Sequence, residues 1–275
     1  MVESDWMYGN IYPESRELLL GHLSAEEIQQ WLVPLGFEDW QGAHRRLHRL
    51  AERTGAPTAV ADLIPYLLGM LGDAPAPERV LVSLERFFQR AERPDAMIHH
   101  LANHLRTLEI LIRLFSGSQF LTEILLRNPA YLSTLADHQD LAQLKTVEQL
   151  CAEIRAFESV ENVQPSLDGL RRFQRRELLR IGSCDLLDLL DLPTVTVQLS
   201  NLADSLIQAC LELAAIRTDT SRNGFVVLAM GKLGGQELNY SSDIDLLFLA
   251  EGDVGKYLKL SEILIDALSS VTGQG

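Results

Sequence analysis

The chain has 275 residues, 47% hydrophobic and 23% charged, with 38 acidic against 24 basic side chains and a formal net charge of −14. Such a composition supports a sizeable buried core and excludes wholesale disorder. The acidic balance argues against broad nucleic-acid binding, which needs many phosphate-neutralising side chains.

The first two hundred residues are patterned as helix after helix. Ser24 and Glu27 form a capping box ahead of Ile28, Trp31 and Leu32. Asp39 caps a second helix carrying Leu47 and Leu50, and Gly55 closes it. Pro77 stands at a first-turn position before Val80, Leu81, Leu84, Phe87 and Phe88. Helical spacing runs from Asp95 to Phe115, Ser118 starts a helix through Leu126, and Pro129 follows. Another helix is expected from about Asp140 to Phe157. One long helix spans Ser166 to about Leu192, with Gly182 as its weak point. Pro193 opens a helix ending near Ile216. The polar segment 217–223 reads as a linker, and after it the character changes to two dense apolar runs of strand length, then helical spacing from Val254 to Val271.

The expected fold is therefore α+β and predominantly α. An all-helical region, 1–216, and the linker 217–223 precede 224–275, the start of a domain with a short mixed sheet and flanking helices. A two-stranded sheet is marginal in water, so the domain is expected to be cut before a third strand. Cys151, Cys184 and Cys210 have no metal-type spacing and suit a reducing compartment. The N-terminus MVESDWMYGN lacks a basic and apolar leader, and no apolar run approaches the roughly 18 residues of a membrane span. A cytoplasmic location, with no membrane and no nucleic-acid partner, is the expectation.

Chemistry concentrates in Gly224 to Glu251, GFVVLAMGKLGGQELNYSSDIDLLFLAE. Phe225 to Met230 end in a glycine-rich turn, Gly231 to Gly235, and a second apolar run opens with Asp243 and Asp245. Residues i and i+2 of a strand share a face, so the carboxylates would sit side by side at a strand mouth, where they can bridge two divalent ions about 3.5–4 Å apart. Backbone N–H groups of the turn can hold a triphosphate, with Lys232 adding a point charge. Leu247 and Leu249 are expected to take the strand directly into a core; an acidic pair at an ordinary strand edge would not require that.

This pattern resembles the signature of the DNA-polymerase-β-like nucleotidyltransferase fold, an apolar–Gly–(Gly or Ser) followed about ten residues later by Asp–apolar–Asp. Lys232 departs from it. More particularly, GKLGGQELNYSSDIDLLF is similar to the glutamine synthetase adenylyltransferase motif G-K-L-G-G-x-E-L-N-x-x-S-D-x-D-L-x-F. The residues that meet it are Gly231, Lys232, Leu233, Gly234, Gly235, Glu237, Leu238, Asn239, Ser242, Asp243, Asp245, Leu246 and Phe248. Arg176, Glu177, Arg180, Ile181, Asp185 and Leu186 resemble that family's Arg-rich helix. Phe115, Ser118, Phe120, Leu121 and Pro129 resemble an earlier segment.

The resemblance implies a bifunctional regulator with two similar catalytic halves. One moves AMP from ATP to a tyrosine of glutamine synthetase; the other removes it by phosphorolysis, releasing ADP. A PII-type signalling protein and glutamine govern both. It implies Asp243 and Asp245 as catalytic metal carboxylates for Mg²⁺, two ions, and Gly231, Lys232, Gly234, Gly235 and Ser242 as the nucleotide-phosphate site for ATP or ADP. The motif's position after Met1 suits the deadenylylating half. The family's third carboxylate lies in a V-D-x-R-L-R-P segment expected just after VTGQG, so 1–275 alone is expected to be inactive. A different nucleotidyltransferase, or a non-catalytic helical interaction fragment, stands as the alternative.

Weaker signals divide. Arg171, Arg172, Arg175, Arg176 and Arg180 read first as a solvated helix face and second as a phosphate-facing strip. His100 and His104 read as ordinary helix histidines before a zinc pair. Glu237, Asn239, Ser241 and Ser242 suit either nucleotide positioning or loop capping.

Overall fold

The computed structural model describes residues 13–136, 141–160, 167–252 and 254–270. The chain divides into two compact units, Met1–His138 and Gln139–Gly275.

The first unit is helical: α1 Glu17–Leu20, α2 Ala25–Leu32, α3 Trp40–Thr54, α4 Pro57–Gly72, α5 Pro77–Arg90, α6 Pro94–Asn103, α7 Leu105–Gly117, α8 Gln119–Arg127 and α9 Leu132–Ala136. The expected caps form. Glu27 N–H donates to Ser24 Oγ at 3.3 Å while Ser24 N–H donates to Glu27 Oε2 at 2.7 Å. Gly42 N–H donates to Asp39 Oδ1 at 2.9 Å, and Gly55 ends α3 in the left-handed region.

Helix α4, to which the sequence reading assigned no element, is buried around most of its circumference and packs with α3, α5, α6 and α7. Only a narrow exposed line, Thr58 and Asp62, interrupts its apolar surface, which leaves little face to read, although Pro57 at its first turn is a usable signal. The expected helix from Asp95 to Phe115 is two helices. His104, with φ −135° and ψ 71°, ends α6 and begins α7. Across α3 and α5, Arg49 Nε donates to Glu85 Oε1 at 2.6 Å and Arg46 pairs with the other oxygen. The Arg49 hydrogen bond foremost holds the Glu85 carboxyl below its usual range.

The second unit contains α10 Val147–Val160, α11 Leu167–Leu186, α12 Leu192–Thr218, β1 Phe225–Met230, α13 Gly231–Gly234, β2 Asp245–Ala250 and α14 Gly255–Ser269. Helix α10 starts later than expected, where Thr146 and Gln149 cap each other's N–H groups. Helix α11 runs through the buried Gly182 and stops at Leu186. There Asp188 adopts φ 53°, with Leu189 N–H donating to Cys184 O and Asp188 N–H to Asp185 O. These are the two bonds of a Schellman close, made with aspartate in the position glycine usually takes.

Helix α12 begins at the Asp191 cap and extends to Thr218, past the expected start of the linker, before Asp219 turns left-handed. Among the described helices it alone is long and apolar enough to cross a membrane, which the count of continuous apolar residues did not register. Its long apolar surface packs against α10, α11 and α14, and Val195, Leu199, Leu202 and Ala214 are buried in the unit's core.

Among the described residues the sheet is β1 paired antiparallel with β2, in the register Phe225↔Ala250 through Met230↔Asp245. One face, with Phe225, Val227, Leu246 and Phe248, packs on the helical core. Phe225 stacks on Tyr257 of α14 at 5.4 Å, and the Tyr257 hydroxyl donates to Asn223 O. The opposite face stays open: Leu247 is 47% and Leu249 49% exposed, beside Val226, Leu228 and Met230. The expected dive of Leu247 and Leu249 into a core is therefore corrected. Pleat alternation gives the core the even-numbered residues of β2 and leaves the odd ones on the carboxylate face.

Candidate functional site

The turn after β1 is helical rather than an open glycine loop. Gly231–Gly234 form one turn, closed by Gly235 N–H donating to Gly231 O at 3.1 Å and Glu237 N–H to Lys232 O at 2.8 Å. Leu233 and Leu238 are buried and fasten the turn to the core. Gly231 has φ +55°, and a Cβ there would lie 2.7 Å from Asp245 Oδ2. Bare main chain thus abuts a carboxylate, with room that any side chain would fill. At Gly234 a Cβ would meet the Ala229 carbonyl oxygen at 2.6 Å, so close helix–strand packing requires glycine. Gly235 has no such constraint; the nearest atom to its Cβ would be 3.6 Å away. The three glycines expected to serve phosphate approach therefore have different local reasons.

Asp245 is the first residue of β2 and pairs with Met230. Asp243 precedes the strand, in the loop, rather than lying on it as expected. Both carboxylates are exposed while Ile244 between them packs on the core, so the alternation of the strand extends back to Asp243. Lys232 Nζ donates to Ser242 Oγ at 3.3 Å, and Asn239 N–H donates to the same oxygen at 3.4 Å. Ser241 N–H donates to Asn239 Oδ1 at 3.0 Å, an Asx turn. Asn239 and Ser242 thus shape the loop, and Glu237 contributes its backbone N–H to the turn.

Among the described residues no group of three or more His, Cys, Asp and Glu side chains gathers as a metal site. The two exposed carboxylates beside open main chain are oxygen donors, the type hard cations prefer. His100 and His104 stack at 4.3 Å, with His104 Nδ1 hydrogen-bonded to His100 O, an arrangement of ordinary helix-end histidines.

Of the α11 arginines, Arg180 departs from both readings of the sequence, while Arg171, Arg172, Arg175 and Arg176 are half-buried. Arg180 is 3% exposed and Glu177 1%. Arg180 Nε donates to Glu177 Oε2 at 2.8 Å, and its Nη1 donates to Leu141 O and Gln143 O. Lys145 Nζ lies 3.2 Å from Glu177 Oε1. Burial alone would push the Glu177 carboxyl up; Arg180, Lys145 and Arg176 outweigh it and hold the carboxyl below its usual range. Arg171 Nη2 donates to the carbonyls of Ala267, Leu268 and Ser270, capping α14. These side chains tie helices and loops together inside the second unit.

Two links from the loop to the helices were not legible in the sequence. Leu238 N–H donates to the buried Ser200 Oγ at 3.3 Å, and Tyr240 Oη donates to Asp185 Oδ2 at 3.1 Å. Burial first, and then Asp185, push the Tyr240 phenol upward.

The chain is thus helical with a small sheet, whose strand mouth carries two exposed carboxylates beside a lysine-bearing glycine turn. The chain matches the model of the glutamate–ammonia ligase adenylyltransferase family over residues 108–275. It belongs to that family. It is 29% identical over 257 residues to the bifunctional glutamine synthetase adenylyltransferase/adenylyl-removing enzyme of Mycobacterium leprae, covering 90% of this chain and 25% of the relative. The enzyme of the same description from Mycolicibacterium smegmatis is 31% identical over 244 residues, 85% of this chain and 24% of the relative. That from Thioalkalivibrio sulfidiphilus is 26% identical over 292 residues, 93% and 30% respectively. The chain thus spans about a quarter of the length of the curated relatives it matches.

Proposed function

We propose that this chain supplies part of a metal-dependent nucleotidyltransferase centre that regulates glutamine synthetase. The centre either moves AMP from ATP to a tyrosine of that enzyme or removes it by phosphorolysis with release of ADP; the removing direction is the one tested below. The observation that carries the reading is Gly231, whose bare, left-handed main chain abuts the Asp245 carboxylate in the same turn that presents Lys232 to Ser242.

In this reading Asp243 and Asp245 hold divalent cations, two Mg²⁺ ions, and a third carboxylate comes from the V-D-x-R-L-R-P segment that the family resemblance implies. Bound cations would neutralise charge on the transferred phosphoryl group and the leaving oxygen. The chain's own residues bind and orient. Gly231, Gly234 and Gly235 form the phosphate site of this reading: Gly231 keeps the main chain bare beside Asp245, the first-turn N–H groups have no acceptor within the turn, and Gly234 lets that turn pack closely on Ala229. Lys232 adds a compact positive charge, and Ser242 fixes its ammonium at the loop. The PII-type protein and glutamine as effectors, a cytoplasmic location, and 217–223 as the entry to the transferase segment 224–275 complete the proposal, supported by the family resemblance.

The test is Asp243→Asn and, separately, Asp245→Asn in the full-length protein, assayed for phosphate-dependent release of ADP from adenylylated glutamine synthetase. Each should lower turnover by about a hundredfold or more, the scale of losing an electrostatic contact made in the transition state. Helix content should not change, because both side chains are exposed. Turnover within about twofold of wild type would refute the reading.

A further inference from the structure

We infer that Tyr240 and Asp185 form a positioning pair that fixes the carboxylate loop against the end of helix α11. The inference rests on the nucleotidyltransferase reading above and extends it to residues that touch neither nucleotide nor cation.

Between the turn and β2 the chain is held at few points. Leu238 is buried and its N–H reaches Ser200 Oγ; Ile244 packs on the core and Asp245 is held by the strand ladder with Met230. Asp243 lies between these, in a segment with no ladder of its own. The loop is internally stiff: Ser242 N–H donates to Asn239 O at 3.2 Å, Ser241 N–H to Asn239 Oδ1, and Ser242 Oγ accepts from both Asn239 N–H and Lys232 Nζ. A displacement of Tyr240 is therefore passed to Ser242 and Asp243 rather than absorbed. The bond from Tyr240 Oη to Asp185 Oδ2, 55 residues away in sequence, fixes that stiff turn to a helix.

The acceptor is placed at a cost. Asp185 is the last residue but one of α11, where the helix dipole disfavours negative charge. The helix end itself is closed by backbone bonds, from Asp188 N–H to Asp185 O and from Leu189 N–H to Cys184 O. The carboxylate is not needed for that close, which leaves Tyr240 as its hydrogen-bonded partner across the loop.

The test compares Tyr240→Phe, Asp185→Asn and Asp185→Leu with Asp243→Asn in the full-length protein, by steady-state phosphorolysis and by amide hydrogen exchange of 239–244. Tyr240→Phe and Asp185→Leu should each lower kcat by about tenfold, the worth of one hydrogen bond to a charged group. KM for adenylylated glutamine synthetase should stay within about twofold, and exchange should accelerate in 239–244 while α11 and α12 keep wild-type protection. Asp185→Asn, which retains an acceptor oxygen, should keep most of the turnover, and adding Tyr240→Phe to Asp185→Leu should lower kcat no further. If Asp243→Asn abolishes turnover but Tyr240→Phe changes neither kcat nor loop exchange, the positioning role is refuted and the transferase reading stands. If Tyr240→Phe lowers protection throughout α11 and α12, the pair is structural and the inference is equally refuted. If Asp243→Asn retains full turnover, the transferase reading falls and takes the pair's role with it.

Discussion

Replacing Glu177 with glutamine should loosen the second unit, and the size of the effect follows from its surroundings. The side chain is 1% exposed and faces Arg180 Nε at 2.8 Å, Lys145 Nζ at 3.2 Å and Arg176 Nη2 at 3.6 Å. Removing one member of a buried ionic group costs about 3–5 kcal/mol, because the remaining charges stay buried. The lower end applies here. Arg180 keeps Leu141 O, Gln143 O and Gln198 Oε1 as acceptors, and Lys145 keeps Glu153 Oε2 at 2.7 Å.

A loss of about 3 kcal/mol corresponds to roughly a hundredfold drop in the protection of globally exchanging amides of α11 and α12. Amide hydrogen exchange is the suitable assay, since Trp6, Trp31 and Trp40 all fall before residue 138 and tryptophan fluorescence follows the first unit. The folded carboxyl titrates below its ordinary value. Its contribution is therefore full above about pH 4.3 and is lost as pH falls through the lowered folded value. Wild type and variant should accordingly converge on acidification. A loss below about 1 kcal/mol at pH 7, or a gap that persists unchanged to pH 3, would refute the reasoning.

The glycine turn should separate sterically. Gly234→Ala drives a Cβ against the Ala229 carbonyl and should destabilise the sheet side of the unit by about 1–3 kcal/mol. Gly235→Ala meets nothing closer than 3.6 Å and should leave stability unchanged or raise it by about 0.4–1 kcal/mol in denaturant titration; destabilisation comparable with Gly234→Ala would contradict the packing described. Among the thiols, burial pushes Cys184 and Cys210 up to about 11, whereas Cys151 is only half-buried. Alkylation at pH 8 followed by mass spectrometry should therefore label Cys151 first, and equal native rates at Cys184 would contradict the burial.

The sequence declared what local chemistry decides. Ser24, Asp39 and Pro77 start helices where their side chains dictate, and the two strands fall on the two apolar runs. It was silent where long-range packing decides. Helix α4 is apolar except for one narrow line, Thr58 and Asp62, so its period is faint. Helix α11 ends at Leu186 and is closed by Asp188 rather than by a glycine, so no glycine marks its end, and Gly182 is a buried residue within the helix. The face assignment of β2 failed for a different reason: Leu246, Leu247, Phe248 and Leu249 are all apolar, and alternation cannot choose between faces when both are. The arginines of α11 fan around the helix as expected of a solvated surface, yet Arg180 is buried because carbonyls from a distant loop receive it.

Among the described residues Asp245 opens the exposed face of a two-stranded sheet, with Asp243 just ahead of it, and such a sheet is marginal by itself in water. What holds it here is its other face: Phe225 and Phe248, 5.7 Å apart between ring centroids, pack on the core and on Tyr257. The order of the site is therefore borrowed from α11, α12 and α14. Glu177, Arg180 and Gln198 brace α11 against α12; Asp185 and Ser200, on those same helices, receive Tyr240 and Leu238 from the loop. Rigidity thus runs from a buried ionic group through two helices to two exposed aspartates. A substitution at Glu177 should reach Asp243 only by loosening the helices that anchor its loop, so loss of activity in Glu177→Gln should track the loss of exchange protection in α11. Activity lost with that protection intact would mean that the helices act on the site by some route other than the anchors at Asp185 and Ser200.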